Sequence, residues 1–302
     1  MRQDQPGRAA PTYQGRPLAR PGEDIEDQGL GFDLGTLMDR RQLLRMLGVG
    51  AAGLGLTACG GNGGSGGASP SASATAGATA GATATAAAGE IPDETAGPFP
   101  GDGSNGPDVL EQSGIVRGDI RSSFGTGTGT AEGVPMTLEL TIQDLANGGA
   151  PFAGTAVYVW HCDREGRYSL YSEGVTGENY LRGVQIADAD GKVRFTSVFP
   201  ACYDGRWPHV HFEVYPDRAS IADAATTIAT SQVALPKNVC ETAYAESGYE
   251  QSVTNLARVS LDSDNVFGDD GGATQLGTVT GDVAGGYTVA LAVRVDTRTT
   301  SR

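Results

Sequence analysis

His209 and His211 stand one residue apart in the run Pro200-Ala201-Cys202-Tyr203-Asp204-Gly205-Arg206-Trp207-Pro208-His209-Val210-His211. Side chains alternate across a strand, so both imidazoles would face one way and Val210 the other. Two nitrogen donors on one face either form a plain polar strand surface or meet one metal ion. The same run holds a phenol, Tyr203, and a guanidinium, Arg206. The chain's third and last histidine, His161, lies upstream in Val159-Trp160-His161-Cys162-Asp163-Arg164-Glu165-Gly166-Arg167-Tyr168-Ser169, where Gly166 marks a turn and a second phenol, Tyr168, follows it.

Between these segments, residues 180–195 read Tyr-Leu-Arg-Gly-Val-Gln-Ile-Ala-Asp-Ala-Asp-Gly-Lys-Val-Arg-Phe, with Asp190-Gly191 a hairpin signal between alternating strands. The ordered series W-H-x-D-x-x-G-x-Y-S, L-R-G-x-Q, D-G-x-V-x-F and P-x-x-Y-x-G-R-x-x-H-x-H closely resembles the intradiol ring-cleavage dioxygenases, the family of protocatechuate 3,4-dioxygenase and catechol 1,2-dioxygenase. The resemblance implies a mononuclear non-haem Fe(III) held by Tyr168, Tyr203, His209 and His211, and intradiol cleavage of a catechol-type substrate by O2 to a cis,cis-muconate-type product. Phenolate chemistry agrees with that ion: two phenolates and a hydroxide neutralise three positive charges, whereas zinc prefers Cys, His and carboxylate. By the same resemblance Tyr203 leaves the metal when substrate binds and serves as base, Arg206 stabilises negative charge on the ring, and Gln232 in Thr230-Ser231-Gln232 positions that arginine. The segment Glu94-Thr95-Ala96-Gly97-Pro98-Phe99 resembles the opening of the catalytic domain near the substrate mouth. His161 is expected to brace the site from a neighbouring strand. Ala187 and Ala201 depart from the family pattern without touching a ligand. No sustained helical periodicity lies between Ile91 and the first strands, where the resemblance would place the helical dimerisation region typical of catechol 1,2-dioxygenases.

To place these residues, the chain needs short alternating strands. They are expected at 115–120, 135–143, 155–161, 181–186, 192–198, 209–215, 228–235 and 287–295, with a short helix within 239–256. That pattern predicts an all-β fold, an antiparallel two-sheet β-sandwich with long active-site loops and little helix.

The N-terminal third points to location. Arg40-Arg41 within 39–44 resembles a twin-arginine export signal, and Leu-Thr-Ala-Cys at 56–59 resembles a lipobox, which makes Cys59 the lipidated residue. Translation is expected to begin at Met38. The expected organisation is a signal over 1–58, a Gly/Ala/Ser/Thr-rich tether over 59–89 and a catalytic domain over 90–302, on the outer side of a bacterial cytoplasmic membrane and bound to it through lipidated Cys59 alone. Acidic and basic side chains balance in residues 1–58, so the net charge of -15 falls entirely on the remainder. Such a surface repels polyanions and argues against nucleic acid as a partner. Beyond Cys59 the cysteines are Cys162, Cys202 and Cys240, and Cys202 with Cys240 is the expected disulfide in an extracytoplasmic setting. Two other functions fit parts of the pattern. One is a sugar-binding or adhesion sandwich with the tyrosines and Trp207 as a stacking platform. The other is a cupin-like enzyme on Fe(II) or Mn(II), for which Glu213 is the available carboxylate.

Overall fold

The computed structural model describes residues 89–299 and, ahead of them, the paired strands β1 (Thr12–Tyr13) and β2 (Arg16–Pro17). The chain divides after residue 84 into two units, and the second carries the features below. The twin-arginine motif, Met38, the lipobox with Cys59 and the tether up to residue 88 lie outside the described residues. Among the described residues, no helix is long and apolar enough to cross a membrane.

Two sheets build the domain. The first joins β3 (Pro135–Asp144), β4 (Ala150–Pro151), β7 (Lys192–Val198), β10 (Thr278–Asp282) and β11 (Gly286–Val295), and the second runs in the order β6-β5-β8-β9. The members of the second are β5 (Ala156–Trp160), β6 (Arg182–Ile186), β8 (His209–Tyr215) and β9 (Ala229–Ala234). Alternation in β3 turns Met136, Leu138, Leu140 and Ile142 inward, where they share one apolar cluster with Val157, Val159, Val210, Phe212, Val214 and Val233 of the second sheet. The expected sandwich is present, with one departure from antiparallel order: β11 pairs with β3 in parallel.

β8 decides where chemistry can occur. All seven of its residues are buried, although only Val210, Phe212 and Val214 face the inter-sheet core. Its other face carries His209, His211, Glu213 and Tyr215, so a second layer must cover the outer side of this sheet. That layer is the coil at 94–124 together with the long β5–β6 loop, and it buries Tyr158, Trp160, Tyr168 and Tyr215 beside Val109, Leu110 and Ile115.

The 115–120 segment is extended but forms no strand. Val116 bridges Val184 of β6 and Asp119 bridges Thr196 of β7, so the segment crosses from one sheet to the other before either ladder can lengthen. β10 has no counterpart in the sequence reading, because Thr-Val-Thr-Gly-Asp is polar and mostly exposed and lacks a buried-face alternation. The 239–256 region holds two short helices, α1 (Lys237–Ala243) and α2 (Glu250–Leu256). The expected Cys202–Cys240 disulfide is not formed: Cys162, Cys202 and Cys240 are all buried free thiols. Burial pushes the Cys202 thiol up to about 12, so it stays protonated and unreactive toward exchange.

Candidate metal centre

Each donor reaches the outer face of the second sheet by a different local device. His209 and His211 arrive directly through the two-residue period of β8. Their ring positions are then set by neighbours. His209 Nδ1–H donates to the Trp207 carbonyl, which leaves Nε2 as a lone pair. The His211 ring stacks on Trp160, its cross-strand neighbour in the ladder, at 4.8 Å and 6°.

Tyr168 depends on a turn built around buried Asp163. Its Oδ1 accepts the Glu165 and Arg167 backbone N–H groups at 3.0 and 2.9 Å, and its Oδ2 accepts the Tyr180 hydroxyl at 2.9 Å. Gly166 in this turn has φ +85°, and a Cβ there would lie 3.1 Å from the Tyr203 Cβ, so the two tyrosine-bearing turns pack backbone to side chain. Arg182, 1% exposed, ties the covering layer to the loop by donating to the carbonyls of Phe99, Pro100 and Ser169. Tyr203 sits on the turn after Pro200, anchored to α2 through Cys202 N–H to Ser252 Oγ at 3.0 Å and Asn255 Nδ2 to the Cys202 carbonyl at 2.8 Å.

The four donors converge. His209 Nε2 lies 3.3 Å from the Tyr168 hydroxyl, 3.3 Å from the Tyr203 hydroxyl and 3.1 Å from His211 Nε2. One lone pair cannot accept from three neighbours at once, and a single cation at their focus satisfies all four atoms. Among the described residues, no three His, Cys, Asp or Glu side chains group as a metal site, so an ion bound here must take the phenolate oxygens. The donor set, two oxygen and two nitrogen atoms without thiolate or carboxylate, fits a ferric ion. Burial pushes both imidazoles well below the ordinary histidine range, His209 further by Arg206 and His211 by His209, which keeps them neutral and able to coordinate. The Tyr168 hydroxyl is pushed well up, first by burial and then by Tyr203, so without a cation it holds its proton.

Tyr168, His209 and His211 are each 2% exposed, whereas Tyr203 is only half-buried. An incoming molecule therefore meets Tyr203 first, with Arg206 beside it. Arg206 donates through Nη2 to Gln232 Oε1 at 2.7 Å, and through Nε to Asp264 at 3.0 Å. Gln232 Nε2 donates in turn to the Thr95 carbonyl at 3.1 Å. Two residues on, Gly97 has φ +72°, and a Cβ there would lie 3.4 Å from His211 Cε1, so the 94–97 segment spans from Arg206 to the metal-side imidazole. Glu94 on this segment is pushed up to about 7 by burial, then by Asp269 and Asp270. A polar cavity of about 340 Å³ borders Tyr203 on its α2 side, lined by Ser252, Asn255 and Arg258 but by none of Tyr168, Arg206, His209 and His211.

The structure thus brings together all six residues singled out by sequence, Tyr168, Tyr203, Arg206, His209, His211 and Gln232. His161 lies apart from them: its Nδ1–H donates to the Cys162 carbonyl and its Nε2 accepts from Ser197 Oγ at 2.7 Å, so it ties the end of β5 to β7. Glu213 shares the strand face but accepts the Tyr215 hydroxyl at 2.8 Å, its carboxyl is raised to about 8 by burial, and among the described residues it does not group with His209 and His211 as the third ligand a cupin-like site needs. Asp163, Arg182 and Asp264 went unrecognised in the sequence. The L-R-G and W-H-x-D motifs contain the first two, but nothing in the spacing marks Asp264.

A family model described as dioxygenase matches residues 105–217, which include all four converging donors and Arg206. The chain is 39% identical over 72 residues to catechol 1,2-dioxygenase from Pseudomonas sp. (strain EST1001), a stretch covering 24% of this chain and 23% of that protein. It is 34% identical over 92 residues to chlorocatechol 1,2-dioxygenase from Rhodococcus opacus, covering 27% of this chain and 36% of that protein. These matches make the central stretch of the chain similar to catechol-cleaving dioxygenases of the intradiol kind. The matched stretches span well under two thirds of these relatives. The fold extends the likeness: the intradiol ring-cleavage dioxygenase from Tetranychus urticae superimposes with a TM-score of 0.55 at 20% identity, over 71% of this chain and 98% of that one. In this chain no helix lies between residue 89 and β3.

Proposed function

We propose that the domain is an Fe(III)-dependent intradiol dioxygenase that cleaves a catechol-type aromatic with O2 to a cis,cis-muconate-type product. The observation that carries this reading is the meeting of two phenol oxygens and two imidazole nitrogens within 3.3 Å of one atom, His209 Nε2. A ferric ion held there would supply the Lewis acidity that activates a catechol-type substrate toward O2. Tyr168, His209 and His211 would hold the ion from buried positions. Tyr203, reachable from outside, would be the donor able to give way to a substrate, and its phenolate oxygen would then be placed to take a proton from a substrate hydroxyl. Arg206 sets a fixed positive charge beside the ring, where negative charge develops. Gly97 and Trp160 confine the His211 imidazole and keep water off that side of the centre.

The test is anaerobic titration of the iron-loaded protein with catechol, followed by admission of O2. The expected outcome is a red-brown protein whose phenolate-to-iron band shifts on binding, then one O2 consumed per catechol and a muconate product. Stoichiometric iron without a visible band would end the ligand assignment. The export reading extends the proposal: the 1–58 signal and Cys59 place the domain outside the cytoplasmic membrane on its tether, acting on aromatic or lignin-derived catechols there.

A further inference from the structure

Asp264 lies 58 positions beyond Arg206, on a segment that contributes no ligand, yet its side chain is fully buried against the Arg206 guanidinium. Every lone pair it has is committed. Oδ2 accepts Arg206 Nε–H at 3.0 Å and the Trp207 backbone N–H at 2.6 Å. Oδ1 accepts the Val266 and Phe267 N–H groups at 2.8 and 3.1 Å and lies 3.5 Å from Arg206 Nη2. One carboxylate therefore grips three things: the inner edge of the guanidinium, the Arg206–Trp207 peptide, and its own turn.

The geometry points to Asp264 as a positioning residue, which fixes the plane of Arg206 through Nε and the direction of the His209 ring through the Trp207 backbone. The second link is short: the residue whose N–H Asp264 holds is the one whose carbonyl accepts His209 Nδ1–H. The N–H lies in the Arg206–Trp207 peptide and the carbonyl in the next one, so a change in the Trp207 backbone torsions would turn the carbonyl away and release the tautomer that leaves His209 Nε2 free to coordinate. For Arg206 the argument concerns degrees of freedom. Gln232 alone holds Nη2 and lets the guanidinium swing about that bond, whereas a second anchor on Nε defines the plane and leaves Nη1 as the nitrogen without a protein partner among the described residues. Neutralising Arg206 within the protein also has an electrostatic use. The pair carries no net charge in the resting site, and the guanidinium still presents an oriented dipole to charge that develops during reaction.

This inference rests on the reading of Arg206 as the charge-stabilising group, and its experiment is a double-mutant cycle on the iron-loaded enzyme with Arg206→Ala, Asp264→Asn and the pair. Arg206→Ala is expected to lower kcat roughly 100-fold with iron and catechol binding retained. Asp264→Asn, which sets an amide donor against the Arg206 and Trp207 donors, is expected to lower kcat roughly 10- to 100-fold while KM moves less than about threefold. In the Arg206→Ala background, the Asn substitution should lower kcat by several-fold less than in the parent, because only the part of its effect that passes through Trp207 and His209 remains. Equal losses from Asp264→Asn in both backgrounds would overturn the positioning role. A parent enzyme that cleaves no catechol would instead end the functional reading, so the two failures are distinct. Hydrogen exchange of the Arg206 Nε–H in the unsubstituted protein provides a readout independent of turnover and of how the variants fold. Protection well beyond that of exposed Arg218 is expected, and exchange as fast as Arg218 would overturn the proposal.

Discussion

Replacing Glu213 by Gln separates the metal centre from its strand neighbour and has a magnitude that the structure supplies. Glu213 is 2% exposed on the face that carries His209 and His211, with the Tyr215 hydroxyl donating to its Oε2 at 2.8 Å. Burial, reinforced by Asp102, raises its carboxyl from 4.5 to about 8. Below pH 4.5 the group is protonated in both native and unfolded chains and contributes no pH dependence. Between pH 4.5 and 8 the unfolded chain ionises while the native one keeps its proton, so native stability falls as pH rises through this window and levels off above it. At about 1.4 kcal/mol per pH unit, the full window corresponds to at most about 5 kcal/mol. Glutamine preserves the shape and accepts the Tyr215 hydroxyl without ionising. Urea unfolding of parent and variant at pH 4.5, 6, 7 and 8 measures the effect, and contributions from other groups cancel in the difference. The variant should gain on the parent progressively, by a few kcal/mol at pH 8, with unchanged iron content and unchanged visible band. A difference that stays constant with pH would refute the neutral-acid argument, and loss of iron would make Glu213 a ligand after all.

Tyr168→Phe should bleach the visible band and abolish turnover, because it removes a buried phenolate that no described side chain can replace; a variant retaining colour and activity would exclude Tyr168 from the centre. Substrate charge should matter at the mouth, since Arg206 is already paired with Asp264 and Glu94 lies near Asp269 and Asp270. Catechol should exceed 3,4-dihydroxybenzoate in kcat/KM by roughly tenfold at low salt, with the ratio shrinking as salt screens the acidic rim or on Glu94→Gln; parity at low salt would count against it. For location, replacing Arg40-Arg41 by Lys-Lys should retain active enzyme in the cytoplasm, and Cys59→Ala should shift exported activity from membrane to soluble fractions. A Cys59→Ala protein as membrane-bound as the parent would mean that the apolar segment before Cys59 acts as the anchor.

What the sequence made legible follows one physical rule: signals carried by consecutive residues survive without coordinates, and those made by distant segments do not. His209 and His211 could be placed on one face because strand alternation is local, and β7 and β8 match their expected limits of 192–198 and 209–215 for the same reason. Tyr168, Tyr203, Arg206 and Gln232 were legible only as parts of motifs, since no local period links positions 168, 203 and 232. Asp264 shows where both kinds of signal end. It sits in Leu-Asp-Ser-Asp-Asn among other acidic residues, and only the chain's return past the Arg206 turn distinguishes it from exposed Asp262 beside it. The cysteines mark a similar boundary. Cys202 and Cys240 looked like a staple because the second-tyrosine turn needs an anchor, and the structure supplies that anchor by other means, through Ser252 and Asn255 of α2 gripping the Cys202 backbone. Those hydrogen bonds hold the Tyr203 turn on its protein side, which under the proposed function would let the phenol end give way to a substrate while the turn stays in place.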